Sequence, residues 1–323
     1  MEILHVNEHT CDVVKIKLLD HPNADSLSIV YVGDFQCVVR TSDWNDGDLA
    51  VYIPPDSVVP DTPMFQFLGG HRRIKARRLR GEWSTGLLVQ APIDAKVGDD
   101  LMDALGIVHY EPQMRACFKT GGDGATPPPG FHPVYDVMNF RKYSSKFVDG
   151  EEIICTEKIH GANARFVCID DKIYCGSRKF WKKEDENNLW WKALSWTPAL
   201  EAWLRHNQNM TVYGEIYGQV QNLKYGAKCG EIFFAAFDIL SGDRWLDYDD
   251  AISVGSGLPW VPLVYRGPFD KEKLLMFAEE DSICGKADHH REGVVIKPVH
   301  ERTDRNIGRV QLKIVGNRYL NKS

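Results

Sequence analysis

The chain has 323 residues, 43% of them apolar, which is enough for two domains with separate cores. Its formal net charge of -6 conceals strong local asymmetry, so recognition of polyanions has to come from clusters rather than from overall charge. No apolar run reaches bilayer-spanning length, no basic-then-apolar leader opens the sequence, and none of the eight cysteines forms a Cys-x-x-Cys pair. These features argue against a membrane span, a zinc site and a disulfide framework, and they predict a soluble chain in the reducing cytoplasm.

In chain order, residues 1–112 alternate short strand-like runs with turns: CDVVKIKLL, SLSIVYVG, FQCVVRT, DLAVYIPP and WSTGLLVQAP. That spacing predicts a small all-β barrel. The turn His21-Pro22-Asn23-Ala24-Asp25 mainly fixes loop geometry, since Pro presets φ and Asn and Asp bond nearby backbone. Between His71 and Arg80 stand Arg72, Arg73, Lys75, Arg77, Arg78 and Arg80, six cations in ten residues with no acid among them. On an acidic chain such a cluster reads as a surface that tracks phosphates, and Trp44 and Trp83 offer stacking platforms beside it.

Residues 113–133 are dense in Gly and Pro and have no hydrophobic period, so they read as a linker. From 134 to 323 further strand-like runs are interrupted by two helical candidates, at 188–205 and 271–280, where apolar residues recur every three or four positions. The second domain is therefore expected to be α+β with mainly antiparallel sheets. Within it, Lys158-Ile159-His160-Gly161-Ala162-Asn163 lies between two strand-like runs. A lysine there can attack a nucleotide α-phosphate, and the glycine lets backbone approach the nucleotide closely. Further along, Gly176-Ser177-Arg178 offers a phosphate clamp, and Glu215 sits in an apolar strand bracketed by Gly214 and Gly218. Phe237 offers a ring to stack on a purine. In Glu292-Gly293-Val294-Val295-Ile296-Lys297 alternation puts Glu292 and Lys297 on opposite faces, and Lys313 lies in the strand-like run Gln311–Val315.

The order of these motifs resembles the covalent nucleotidyltransferase superfamily of DNA ligases, RNA ligases and mRNA capping enzymes. Histidine at position 160 points to the RNA ligase branch. The whole-chain layout is similar to Deinococcus-type RNA ligases, in which an OB-type barrel precedes the ligase domain, and HPNAD also resembles the opening of OB-type tRNA-binding domains. The resemblance implies an OB-like barrel followed by an ATP-grasp-like nucleotidyltransferase domain. It implies ATP and Mg²⁺ or Mn²⁺ as cofactors and RNA with 3′-OH and 5′-phosphate ends as partner. Carried over, Lys158 becomes the lysyl-AMP nucleophile, His160 contacts phosphate or metal, and Asn163 positions the nucleotide or the nick. Arg178 holds a phosphate, Glu215 contacts ribose, Phe237 stacks on adenine, Glu292 binds the metal, and Lys297 and Lys313 neutralise phosphate charge. Two departures stand out: Val315 replaces a second motif lysine, and the ten residues after Lys313 leave no room for a C-terminal OB domain. A free lysine is about one part in a thousand neutral at pH 7.5, so Lys297, Lys313 and a metal are expected to lower the Lys158 pKa. The competing expectations are a GTP-dependent capping guanylyltransferase and a catalytically inactive RNA-binding protein on the same scaffold.

Overall fold

The structure, a computed structural model, describes residues 9–110 and 124–322. The chain forms two compact units. One is Met1–Glu111 with Asn139–Ser144 and Val315–Ser323, and the other is Pro112–Met138 with Ser145–Ile314. Of the linker expected at 113–133, residues 113–123 lie outside the described residues.

The first unit contains strands β1 (Val13–Lys15), β2 (Leu19–Asp20), β3 (Leu27–Val32), β4 (Phe35–Arg40), β5 (Leu49–Ile53), β6 (Arg77–Leu79), β7 (Glu82–Ser84) and β8 (Leu87–Gln90). They form sheets in the orders β1-β5-β8 and β2-β3-β4 and the hairpin β6-β7. Strand β5 shows why alternation is lost in this unit. Val51 and Ile53 pack with Cys11, Val13 and Val59, while Ala50 and Tyr52 pack with Ile16, Val30 and Cys37. With both faces covered, every position of the strand is apolar. The β6-β7 hairpin closes through Arg80 (φ 48°) and Gly81 (φ 97°). Two successive positive φ values define the tight turn whose twist suits a two-residue hairpin.

The second unit contains β9 (Glu152–Lys158), β10 (Ala162–Ile169), β11 (Lys172–Ser177), β12 (Trp181–Lys182), β13 (Met210–Gly218), β14 (Ile232–Ser241), β15 (Arg244–Trp245), β16 (Leu263–Pro268), β17 (Gly293–Pro298) and β18 (Leu312–Val315). A six-stranded antiparallel sheet has the order β12-β11-β10-β13-β14-β15, and a five-stranded sheet runs from Met138–Asn139 through β18, β17 and β9 to β16. The hexapeptide that begins at Lys158 is the link between β9 and β10, and so between the two sheets.

One face of the six-stranded sheet buries Ala164, Phe166, Val212, Ile216 and Phe234 against Leu189, Trp190, Leu200 and Trp203. Alternation then turns Asn163 and Glu215, which are register partners, toward the opposite face. Between β13 and β14 the register shifts from Tyr213↔Asp238 to Gly214↔Ala236, leaving Phe237 as the extra residue of a bulge. A bulge bends its strand and re-aims the neighbouring side chains. Here it brings Asp238 of one sheet within reach of Lys297 in β17 of the other.

The helix expected over 188–205 is two helices, α1 (Leu189–Ser195) and α2 (Pro198–His206). Asn188 caps α1 by accepting from the Trp190 N–H, and Pro198 opens α2. Proline suits a first helical turn but forces the residue before it out of helical geometry, so the periodic pattern breaks at Thr197. Two further helices, α3 (Tyr248–Val254) and α4 (Lys271–Phe277), follow in this unit. The second helical candidate corresponds to α4. Helix α3 escapes the periodicity because its only buried residue is Ala251. No helix among the described residues is long and apolar enough to cross a membrane.

Candidate active site

Lys158 is the last residue of β9, and its register partner in β17 is Gly293. That pairing places Glu292, one residue before the strand, beside the lysine although 134 positions separate them in sequence. The Lys158 ammonium donates to Glu292 Oε1 at 2.7 Å, and His160 Nδ1 lies 3.2 Å from Glu292 Oε2. One carboxylate thus bridges the two motif residues. Burial disfavours its charge, but Lys158 and His160 outweigh that and hold the Glu292 carboxyl down at about 2.

Glu215 has the opposite fate. Burial raises its carboxyl, and the charge of Glu292 adds to this against the pull of Lys158 and of the Gly161 backbone N–H, leaving it at about 8. Two carboxyls beside one lysine are therefore driven far apart, one fully ionised and the other largely protonated at neutral pH. Lys158 itself is the point at which the sequence expectation fails. Burial works to lower its pKa, but Glu292 and Glu215 more than reverse that, and its pKa is raised. The ligand-free lysine is an ion-paired ammonium. Lys297, which was expected to push it toward the neutral amine, is committed elsewhere.

Glycine at 161 is a steric requirement. A Cβ there would sit 2.1 Å from the Ile216 carbonyl oxygen and 3.1 Å from Glu215 Cγ. The His160 N–H donates to the buried Tyr225 hydroxyl at 2.6 Å, which fixes the backbone of the motif. Trp190 Nε1 donates to the Asn163 carbonyl at 3.0 Å, but the Asn163 Oδ1 atom is buried without a hydrogen-bond partner. An orphaned buried acceptor costs about 1–3 kcal/mol unless something donates to it. It faces the same side of the sheet as Glu215.

Lys297 is buried, with Nζ 2.8 Å from Asp238 Oδ1 and 3.6 Å from Glu301 Oε1. Arg309 reaches Asp238 Oδ2 at 2.8 Å and also pairs with Glu301. The Tyr135 hydroxyl lies 2.6 Å from Asp238 Oδ2 and 2.8 Å from Gln311 Oε1. Burial opposes ionisation of Asp238, yet Arg309 and Lys297 keep its carboxyl below the usual range. Phe237, the extra residue of the bulge, packs tilted at 44° against Tyr135 with ring centroids 4.5 Å apart and remains half-buried. Arg178 is exposed and pairs with Asp136, close enough to Lys158 to weigh against its charge. Lys313 lies between buried Leu312 and Ile314, with its own side chain on the half-buried face of β18, next to β17.

The structure therefore gathers Lys158, His160, Glu215 and Glu292 into direct mutual influence and places Asn163 alongside Glu215. Lys297 joins a second, buried cluster instead. Sequence reasoning missed Tyr225, Tyr135, Asp238, Glu301 and Arg309. Only Asp238 carried a signal, as a lone charge within the apolar run FFAAFDIL.

Of the basic decapeptide, Arg73 pairs with Asp56 at 2.6 Å and stacks 3.6 Å over Tyr110. Arg72 donates to the Val59 carbonyl, and Arg78 donates to the Gly81 carbonyl across its own hairpin. Arg77, Arg78 and Arg80 are exposed, and Lys75 is half-buried. Trp44 is buried in a core cluster with Ile16, Val30 and Cys37, and the Arg78 guanidinium lies 5.7 Å from the Trp83 ring.

Comparison with known proteins defines the class. Residues 11–91 match an OB-fold domain family, and residues 151–315 match the RNA ligase family. Several solved structures of Naegleria gruberi RNA ligase are similar. A mutant with ATP and Mn has TM-score 0.82 at 23% identity, covering 97% of this chain and 99% of that one. A mutant apo form has TM-score 0.81 at 24% identity, covering 98% of each chain. The form with PPi has TM-score 0.81 at 23% identity, covering 97% and 98%. At such identities the likeness establishes a shared fold. No curated protein sequence matches the chain. The architecture is thus an OB-fold domain followed by an α+β nucleotidyltransferase domain with mainly antiparallel sheets, as the sequence leads one to expect. The match over 151–315 covers more than half of the chain, and the protein belongs to the RNA ligase family of enzymes.

Proposed function

We propose that the protein is an ATP-dependent RNA ligase that seals 3′-OH to 5′-phosphate ends, at nicks in duplexes, through lysyl-AMP and AMP-capped 5′-end intermediates. The observation that carries this reading is the Lys158–Glu292–His160 arrangement, a single lysine held by a carboxylate beside a loop whose Gly161 has no room for a side chain. In the first step Lys158 Nζ, once deprotonated, bonds to the α-phosphorus of ATP, and the bond to the pyrophosphate oxygen breaks. The AMP then passes to the RNA 5′-phosphate, and the 3′-OH displaces it to form the phosphodiester.

The orphaned Asn163 Oδ1 and the largely protonated Glu215 suit a neutral, hydrogen-bonding part of the nucleotide, and Glu215 fits a ribose hydroxyl. Phe237 would offer its ring to an adenine face, and Arg178 would exchange Asp136 for a phosphate oxygen. Among the described residues no three His, Cys, Asp or Glu side chains cluster as a metal cage. A divalent cation here would be held by Glu292, water and the phosphates, the usual manner of Mg²⁺. When bound, Mg²⁺ or Mn²⁺ would neutralise phosphate charge and compete with Lys158 for Glu292. Lys297 and Lys313 would add positive potential from β17 and β18. Where the bound species are Naegleria gruberi ligases with ATP or AMP and Mn, the parallel supports these cofactors.

The test is sealing of defined nicked duplexes, RNA or DNA on each side of the nick, with labelled ATP and Mg²⁺ or Mn²⁺. The proposal expects a joined strand and an adduct that chases onto the 5′-phosphate. Adduct formation from GTP alone would favour capping chemistry, and RNA binding without any adduct would make the chain a non-catalytic binder.

A further inference from the structure

Tyr225, in the loop between β13 and β14, has a positive φ of 54°. The other non-glycine residues of this kind among the described ones are Asp56, Arg80, Asp170, Asp171 and Asn209. Asp and Asn enter the left-handed region readily, and Arg80 does so in a hairpin turn. A bulky ring there is an outlier that persists only where its surroundings over-determine it. Such strain gathers at functional sites, and Tyr225 is 2% exposed in a core cluster that also holds Ile159, the residue after Lys158.

Two segments of the site hold Tyr225 from two directions. On one side its hydroxyl accepts from the His160 N–H at 2.6 Å, and Gln221 of the same loop donates to the Gly161 carbonyl at 3.4 Å. On the other side the chain leading to Glu292 takes up its backbone. The Lys286 N–H donates to the Tyr225 carbonyl at 3.3 Å, and the Tyr225 N–H donates to His289 Nε2 at 3.3 Å. His289 Nδ1 lies 2.9 Å from the His290 carbonyl, which can only accept, so Nδ1 carries the proton and Nε2 is free to accept. The His289 ring also meets the Tyr225 ring edge-on, with centroids 4.8 Å apart. Gly226 continues the turn at φ 78°, and a Cβ there would lie 2.6 Å from Lys286 Cβ, so the two segments interlock. One residue therefore joins the peptide that carries His160 to the segment that carries its partner carboxylate.

We propose that Tyr225 is a positioning residue for the adenylylation of Lys158: its hydroxyl holds the His160 peptide so that the imidazole meets Glu292, and its backbone and ring tie that peptide to the segment ending in Glu292. The proposal deepens the ligase reading and rests on it. The positive φ belongs to the turn that presents the hydroxyl to one segment and the N–H and carbonyl to the other. Without the hydroxyl the His160 N–H is left in a buried place with its acceptor removed, and the imidazole loses its fixed approach to Glu292.

Single-turnover self-adenylylation of the full chain with labelled ATP and Mg²⁺ or Mn²⁺, followed against ATP concentration, tests it. Tyr225→Phe keeps the ring and removes only the acceptor. It should lower the maximal rate at least about tenfold while half-saturating ATP stays within about twofold. In a His160→Ala background the same substitution should cost less than about threefold, because residues that act as a unit are not additive. A role in folding alone would lower Tm and leave the rate of the folded protein unchanged in both backgrounds. His289→Ala leaves the hydroxyl in place but unties its backbone. It should slow adenylylation about threefold with the same dependence on His160, and it carries the test alone if Tyr225→Phe does not fold. The proposal is overturned if folded Tyr225→Phe is as fast as wild type, if its loss is equal in both backgrounds, or if only half-saturating ATP changes. With His289→Ala as the sole folded variant, an unchanged rate overturns it. An adduct on wild-type protein with a silent Tyr225→Phe sinks only this proposal, whereas no adduct on wild-type protein sinks the ligase reading together with it.

Discussion

Replacing Glu215 with glutamine should stabilise the ligand-free chain, and by more as the pH rises. Burial and the charge of Glu292 bring the folded-state carboxyl to about 8 against an ordinary 4.5, despite Lys158 and the Gly161 N–H. Between those two values the folded chain retains a proton that the unfolded chain has released. The stability associated with this group is therefore complete below pH 4.5 and declines as the pH rises toward 8, by up to about 1.4 kcal/mol per pH unit. Glutamine keeps an acceptor for the Gly161 N–H and cannot ionise, so it removes that decline. From pH 5 to pH 7.5 the advantage of Glu215→Gln over wild type should widen by about 3 kcal/mol, or about 6–12 °C in Tm for a unit of this size. Differential scanning calorimetry of the full chain without nucleotide at the two pH values reads it directly. An advantage that stays constant or shrinks with rising pH would refute the reasoning. The native carboxyl is thus kept at a cost in stability above pH 4.5.

Two further substitutions probe the frame around the site. Asp238→Ala leaves Lys297 and Arg309 buried with only Glu301 between them, and it should destabilise the chain by about 3–5 kcal/mol in urea unfolding; a loss below about 1 kcal/mol would mean that the cluster is solvated. Gly161→Ala would force a Cβ to 2.1 Å from the Ile216 carbonyl, and it should cost about 1–3 kcal/mol and suppress adenylylation together. Normal stability and normal adenylylation in that variant would show that the loop tolerates a side chain.

Much of the site could be read from sequence because its parts are local strings. Lys158 through Asn163 sit at a strand end and a strand start, and the glycines around Glu215 announce close packing. The turn from strand to loop to strand is encoded within those few residues. What could not be read is the pairing. Lys158 meets Glu292 only through the β9–β17 register, and nothing in either string reports which carboxylate will take the ammonium. The expected lowering of the lysine pKa fails for that reason. Lys297 was assigned to phosphate from its motif position, but its structural partner is set by a bulge at Phe237 that shifts Asp238 toward the other sheet. A bulge adds one residue to a strand without altering its apolar pattern, so periodicity is blind to it. The break at Pro198 was legible, because proline acts on its immediate neighbours, yet the helical period on both sides disguised it. In the barrel, composition revealed the basic decapeptide but not its division. Arg73 is taken up by Asp56 and Arg78 turns back to the Gly81 carbonyl, pairings that no local string reports.

The central claim is that Lys158 is the nucleophile, and the most direct measurement is the site of covalent AMP. Wild-type protein incubated with ATP and Mg²⁺ or Mn²⁺, digested and mapped by mass spectrometry, should carry acid-stable AMP on the peptide containing Lys158, and Lys158→Ala should carry none. AMP on another residue, or an undiminished adduct in Lys158→Ala, would contradict the account.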